Sequence, residues 1–103
     1  MYKLEYLPVA RQDMIDIVRY ISRELSNPEA AEKLAGEMIE AADRLMDFPY
    51  KNRVYNPIRP LKQEYRRLLV QNYIIFYYVD ELKKLITISR VIYARREYGK
   101  LLD

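Results

Sequence analysis

The 103-residue sequence contains no cysteine and no histidine. The lack of cysteine excludes disulfides, thiolate metal sites and thiol nucleophiles, and it fits a reducing compartment. The lack of histidine removes the commonest metal ligand and the commonest general base near neutral pH. Any acid–base catalysis would therefore depend on carboxylate, lysine, arginine or tyrosine, and we expect no metal site.

Long apolar runs and phosphate-binding loops are also missing. No run reaches the ~18 apolar residues of a membrane span, and the N-terminal segment lacks the apolar core of a secretory signal, so we expect a cytoplasmic protein without a membrane partner. The two glycines belong to no glycine-rich phosphate loop, and no GxSxG motif occurs. We expect no cofactor.

Length and composition favour one folded domain. A chain of 103 residues with 50% hydrophobic residues is long enough for one core and too short for two. Glycine and proline are scarce, and no low-complexity segment occurs, which is typical of a globular protein. We therefore predict a single domain over residues 1–103.

Charge is divided unevenly along the chain. Residues 1–50 carry six Lys/Arg and ten Asp/Glu, a balance of −4, whereas residues 51–103 carry twelve and five, a balance of +7. Because a patch of one sign attracts partners of the other, the second half is the candidate binding region. The alternative is that these cations only keep a sheet edge soluble.

The apolar periodicity predicts an α+β fold. Residues 2–6 alternate as a short strand, and two amphipathic helices follow over about 8–25 and from Pro28 to Phe48–Pro49, forming an antiparallel hairpin. The composition of residues 50–63, which lack apolar periodicity, predicts a basic loop. Residues 64–98 predict a three-stranded antiparallel meander, with turns at Gln71–Asn72 and in the segment Asp80–Lys84, whose sheet packs on the helices.

Two details of the predicted meander concern the site. Residues 73–79 are apolar or aromatic on both faces, which predicts a central strand that is either covered on both sides or exposes an aromatic binding face. In the last strand Arg90 falls where the alternation expects a core residue. A β-bulge that redirects Arg90, or a strand that has left the core, would explain this; a plain surface ion pair is the simpler alternative.

Arginines and tyrosines recur together in the basic half. Cations of this kind contact phosphates, and aromatic rings stack on bases, so the mixture suits an anionic macromolecule. Ordinary packing of the tyrosines and solvation of the cations is the alternative. The candidate target-binding residues are Lys51, Arg53, Arg59, Lys62, Arg90, Tyr93 and Arg96.

The order of elements and the terminal run Arg90-Val91-Ile92-Tyr93-Ala94-Arg95-Arg96 together resemble the RelE/ParE superfamily of type II toxins. The run is preceded by the strand YIIFYYV and the strand start Tyr65-Arg66-Arg67, and the resemblance covers nearly the whole chain. It implies a growth-arresting toxin of a plasmid stabilisation module, neutralised by a cognate antitoxin protein. ParE-like members inhibit DNA gyrase, and the long helical hairpin favours that branch.

RelE-like members instead cleave mRNA on the ribosome, without a metal. For that alternative the resemblance implies phosphate binding by Lys51, Arg53 and either Arg66 or Arg67, transition-state stabilisation by Arg95, and stacking or proton transfer by Tyr98 or Tyr93. Tyr93 stands where many members have histidine, and a tyrosine with a pKa near 10 is a poor base at neutral pH. A non-toxic nucleic-acid-binding domain is the third interpretation.

Overall fold

The computed structural model describes residues 1–57 and 60–102. The elements follow the predicted order and confirm the α+β class. They are β1 (Lys3–Tyr6), α1 (Pro8–Arg19), a π-helical turn (Tyr20–Glu24), α2 (Pro28–Arg44), β2 (Arg66–Val70), β3 (Tyr73–Asp80) and β4 (Leu85–Tyr93).

The helices begin where the sequence predicts. Pro8 lies in the first turn of α1 and Pro28 in that of α2, where the missing N–H leaves no hydrogen bond unmade. The Asn27 side chain caps α2 by accepting from the Ala30 N–H at 3.1 Å. The predicted end at Phe48–Pro49 is about one turn late, because Leu45 continues the apolar period as a buried residue after α2 has ended.

The strands form one mixed sheet in the order β1-β4-β3-β2. The predicted antiparallel meander of β2, β3 and β4 is confirmed, and β3 is central. β1 pairs in parallel with β4, so the sheet is not antiparallel throughout. These two strands are separated in sequence by both helices, and a long connection of this kind allows parallel pairing.

Both predicted turns are present. Gln71 and Asn72 connect β2 to β3, and Gln71 has a φ of 51°. The second turn is shorter than predicted, because Asp80 is the last residue of β3. The Asp80 Oδ1 accepts from the Lys83 N–H at 3.1 Å, which closes that turn.

Of the explanations offered for the break in alternation at Arg90, the bulge in β4 is the correct one. Tyr77 pairs with Ile88 and Phe76 pairs with Arg90, which leaves Ser89 without a partner across the ladder. One extra residue in β4 therefore changes the alternation at Arg90.

The sheet is covered on both faces. On the helix-side face, α1 and α2 enclose a core that includes Ile75, Tyr77 and Ile88. On the opposite face, here called the tail-side face, residues 94–102 and the segment before β2 cover Phe76 and Ile92. Of the two interpretations of β3, burial on both sides is therefore the correct one.

Candidate functional site

Two arginines face each other at the β2 edge of the sheet. Val54 pairs with Arg66 in an antiparallel bridge. The next N–H along, that of Arg67, donates to the Arg53 carbonyl at 3.0 Å. This geometry places Arg53 opposite Arg67, with both side chains on one face of the sheet.

The Arg53 and Arg67 side chains are exposed, and among the described residues neither has a hydrogen-bonding or ion-pair partner. Like charges directly opposite each other on neighbouring strands are destabilising. A bound phosphate or carboxylate would remove that repulsion, and two guanidinium groups suit such an anion.

A trio of aromatic rings lies on the same face as this pair. Arg67 is in register with Phe76, so both side chains leave the tail-side face. The Phe76 ring lies 5.6 Å from that of Tyr55 and 5.1 Å from that of Tyr98, and Tyr55 and Tyr98 are 5.4 Å apart. We call Arg53, Arg67, Tyr55 and Tyr98 the arginine-pair surface.

Arg66, by contrast, points to the helix-side face and is occupied. Its Nη1 donates to the carbonyl oxygens of Asn52 at 2.7 Å and of Tyr50 at 3.3 Å. Its guanidinium lies over the Tyr50 ring, 5.0 Å from the centroid, and its side chain is only 16% exposed. Arg66 therefore holds the loop that carries Lys51 and Arg53.

Tyr77, on β3, holds the same loop through its hydroxyl group. Its buried hydroxyl donates to the Pro49 carbonyl at 2.9 Å and accepts from the Asn52 amide at 3.2 Å. Burial raises the pKa of Tyr77 above its usual value of 10.0, which keeps the hydroxyl protonated as a donor at neutral pH.

Arg90 is bound inside the molecule. Its Nε donates to Asp13 Oδ2 at 2.8 Å and its Nη2 to Oδ1 at 2.9 Å, while its Nη1 donates to the Leu101 carbonyl at 3.1 Å. The hydrogen bond to Asp13 raises the pKa of Arg90. The guanidinium joins α1, β4 and the C-terminal segment, and the side chain is only 17% exposed.

Tyr93 lies on the helix-side face of the sheet, opposite the arginine-pair surface. It lines a groove between the helix ends and the β2–β3 turn. The groove encloses about 740 Å³, and Asp16 and Arg96 are among its polar lining residues. Tyr93 packs against Tyr73 at 5.6 Å, and burial is the largest cause that raises the pKa of Tyr73. The apolar part of the lining comprises Ile17, Tyr20, Ile21, Leu25, Leu34, Tyr73, Val91, Ile92 and Tyr93.

The π-helical turn shapes the helical side of this groove. The Leu25 N–H donates to the Tyr20 carbonyl at 3.2 Å, five residues back, and turns of this kind are frequent at functional sites. Tyr20 is 54% exposed and Leu25 56% exposed. Two large, exposed side chains therefore line the same groove as Tyr93.

The remaining candidate residues are dispersed. Arg95 is exposed in the turn after β4, and Arg96 lines both the groove and a depression beside Tyr98. Lys51 is exposed on the loop held by Arg66, and Lys62 lies by a third pocket that contains Arg90. Arg59 lies outside the described residues.

Sequence reasoning missed Asp13, Tyr20 and Tyr55. Asp13 lies next to the buried stripe of α1, and a carboxylate beside apolar positions is a signal of a buried partner. Tyr20 and Tyr55 carried no such signal, because the π-helical turn and the bridge at Val54 that position them have no clear sequence pattern.

Residues 1–57 and 60–102 contain no group of three or more acidic side chains arranged to hold a metal ion. In the same residues no helix combines the length and apolarity needed to cross a membrane.

Several solved structures share this architecture, including chains from two toxin-antitoxin systems. A chain of the chromosomal ParDE toxin-antitoxin system of P. aeruginosa superposes with a TM-score of 0.74 and 21% identity, over 92% of this chain and 98% of that one. A chain of the toxin-antitoxin complex RelBE2 of Mycobacterium tuberculosis gives 0.63 and 19%, over 89% and 96%. The fold is therefore one found in toxin-antitoxin complexes.

The family follows from the sequence itself. A profile described as ParE toxin of type II toxin-antitoxin system, parDE, matches residues 4–98. No curated protein sequence matches the chain. The chain belongs to the ParE toxin family, within the RelE/ParE superfamily that the order of elements and the terminal run together predicted.

Proposed function

We propose that this toxin arrests growth by inhibiting DNA gyrase, as a member of a plasmid stabilisation module with a cognate antitoxin. The proposal is carried by the match of residues 4–98 to the ParE toxin family. Of the candidate cleavage residues, Arg53, Arg67 and Tyr98 share the tail-side face, but Arg66 and Tyr93 do not join them. Arg66 holds a loop on the helix-side face, and Tyr93 lines the groove on that side, whereas Tyr98 packs on the tail-side face. Such a set favours binding over acid–base chemistry.

The chemistry of the arginine-pair surface supports the same choice. Attack of a ribose hydroxyl on phosphorus needs a base within hydrogen-bonding reach as well as cations. Arg53 and Arg67 supply cations, but the sequence has no histidine, and the ring of Tyr98 is packed edge-on against that of Tyr55. Gyrase inhibition requires only tight binding, which arginines and tyrosines commonly provide.

A supercoiling assay tests the proposal directly. Purified toxin is added to DNA gyrase with relaxed plasmid and ATP, and supercoiled product is measured against toxin concentration. We expect inhibition that prior addition of the antitoxin abolishes. Full supercoiling at a large molar excess of toxin would refute gyrase as the target.

We place the antitoxin's helical segment in the groove beside the π-helical turn. An apolar lining accompanied by polar residues such as Asp16 and Arg96 suits an amphipathic helix, which binds by its apolar face. Tyr20→Asp should weaken the complex with the antitoxin strongly, measured by calorimetry. Leu82→Asp is the matched control, because Leu82 is 99% exposed on the β3–β4 turn, away from the groove. Equal losses in both variants would contradict this placement.

RNA cleavage on the ribosome is the second candidate, supported by the unneutralised pair of Arg53 and Arg67 beside Tyr98. Primer extension on mRNA from cells expressing the toxin tests it. Cuts at codon-defined positions that disappear with Arg67→Ala or Arg95→Ala, together with unaffected gyrase, would favour this function. Intact mRNA with induction of the DNA damage response would favour gyrase.

A further inference from the structure

The outward face of α1 carries a line of arginines that lies apart from both surfaces described above. Arg11, Arg19 and Arg23 recur with Ile15 at intervals of four residues, which places them on one side of the helix and its π-helical extension. All three arginines are exposed. Among the described residues, none of the three has an ion pair or a side-chain hydrogen bond.

The two carboxylates of α1 itself, Asp13 and Asp16, have other contacts. Asp13 binds Arg90, and Asp16 accepts from Gln12 at 2.8 Å and lines the groove. Glu24, next to Arg23 in sequence, forms no ion pair with any cation that the structure describes. Like charges four residues apart destabilise a helix, so the spacing of Arg19 and Arg23 opposes folding.

Apolar side chains lie between these arginines. Ile15 is 47% exposed. Together with Met14, Val18, Arg19, Ser22 and Arg23 it lines a shallow depression of about 410 Å³. Arginines around an aliphatic centre are typical of a protein–protein interface. The depression has no aromatic lining residue, so it offers no ring for base stacking, which argues against single-stranded nucleic acid.

We propose that this face of α1 docks an acidic segment of the target protein, with an apolar side chain seated between Ile15 and Val18 and carboxylates on Arg19 and Arg23. The proposal rests on gyrase inhibition as the function and names the toxin surface that contacts the enzyme. It separates target binding on the outward face of α1 from antitoxin binding in the groove.

The test compares two charge-reversal variants that change net charge equally. Arg19→Glu/Arg23→Glu alters the proposed surface, and Lys3→Glu/Lys83→Glu alters exposed lysines on β1 and the β3–β4 turn. Affinity for purified gyrase and half-maximal inhibition of supercoiling are measured for each. We expect the arginine variant to lose about tenfold or more in both quantities, and the lysine variant to match the wild type. Retained antitoxin affinity shows that the arginine variant is folded.

Ile15→Ser identifies the chemistry of the partner, because it leaves every charge in place. If the partner is a protein segment with an apolar anchor, this variant should bind gyrase more weakly. If the face instead contacts nucleic-acid phosphates, binding should not change, and that result would overturn the proposal. Size-exclusion chromatography provides the other decisive result. A wild-type oligomer that the arginine variant dissociates would show that a second copy of this chain occupies the face.

The two proposals fail in distinguishable ways. A wild-type protein that leaves gyrase active refutes gyrase inhibition, and the docking surface with it. A wild-type protein that inhibits gyrase, with the arginine variant equally potent, refutes only the docking surface.

Discussion

The Asp13 carboxylate joins α1 to the free edge of β4 by binding both Arg90 and the backbone next to it. Besides the two hydrogen bonds from the Arg90 guanidinium, Asp13 Oδ2 accepts from the Val91 N–H at 2.9 Å. β1 pairs with β4 only as far as Ile88, so Asp13 satisfies a β4 donor beyond the end of that partner strand.

Asp13→Asn should therefore destabilise the protein substantially. The two side chains are 14% and 17% exposed, so loss of the charge leaves a largely buried guanidinium without its counter-ion. We expect a loss of about 2–3 kcal/mol in the free energy of unfolding, below the full cost for a completely buried pair. Urea denaturation measures it. Asp16→Asn is the control, since Asp16 is exposed and, among the described residues, its side chain bonds only Gln12. Equal losses in the two variants would contradict this role for Asp13.

The bulge at Arg90 was predictable because it interrupts a regular alternation, and an interruption is visible in sequence. The partner of Arg90 was not predictable, because Asp13 is 77 residues away and a single sequence carries no information on pairing at that distance. The parallel pairing of β1 with β4 escaped prediction for the same reason. Local signals such as Asn27-Pro28 and Gln71-Asn72 placed helix starts and turns correctly, since caps and tight turns depend on neighbouring residues.

Stability should fall at alkaline pH, in part through Tyr77. Its pKa is raised by burial, so above about pH 10 the unfolded chain releases a proton that the folded protein retains, and stability decreases as pH rises from the unfolded pKa through the folded one. Tyr77→Phe should cost about 1 kcal/mol at neutral pH through its lost hydrogen bonds. It should also make the alkaline decrease shallower.

Urea denaturation of both proteins from about pH 7 to about pH 11 measures this difference. The half-buried Tyr6 and Tyr73, whose pKa values are also raised mainly by burial, are retained in the variant. They should maintain part of the decrease in both proteins. Parallel stability curves for wild type and Tyr77→Phe would exclude the contribution of Tyr77.

Gly36→Ala should stabilise α2. Gly36 is exposed inside the helix, and a Cβ added there meets no atom within 4 Å. The expected gain in unfolding free energy is about 0.5–1 kcal/mol, because alanine loses less conformational freedom in a helix. Gly99→Ala is the control: its Cβ would lie 3.2 Å from the Tyr55 hydroxyl and should bring no gain. A loss of stability in Gly36→Ala would point to an unrecognised requirement for glycine.

For the candidate site, too, the sequence predicted local features but not contacts between distant residues. The sequence identified Arg66 and Arg67 as alternatives, but strand alternation alone shows only that their side chains point to opposite faces. The bridge at Val54 decides which is free, by placing Arg67 opposite Arg53 and directing Arg66 to the carbonyl groups of the loop. Val54 lies in a proline-containing loop that has no periodicity, so the sequence pattern carries little information about this bridge.

Arg66→Ala and Arg67→Ala form a matched pair that tests this division of roles. Arg66→Ala removes two hydrogen bonds to loop carbonyl groups and a contact with the Tyr50 ring, so we expect a loss of about 1–2 kcal/mol in urea denaturation. Arg67→Ala removes a like charge opposite Arg53, so stability should change by no more than about 0.5 kcal/mol.

Anion binding should show the reverse pattern. In a titration with fluorescent single-stranded RNA at low salt, Arg67→Ala should weaken binding by about tenfold and reduce its salt dependence, because a charge-assisted phosphate contact is lost. Arg66→Ala should reduce RNA affinity less than Arg67→Ala does, since its effect reaches the anion only through the loop that carries Lys51 and Arg53. Equal RNA affinity for Arg67→Ala and wild type would show that the opposed arginines are a structural feature without an anionic ligand.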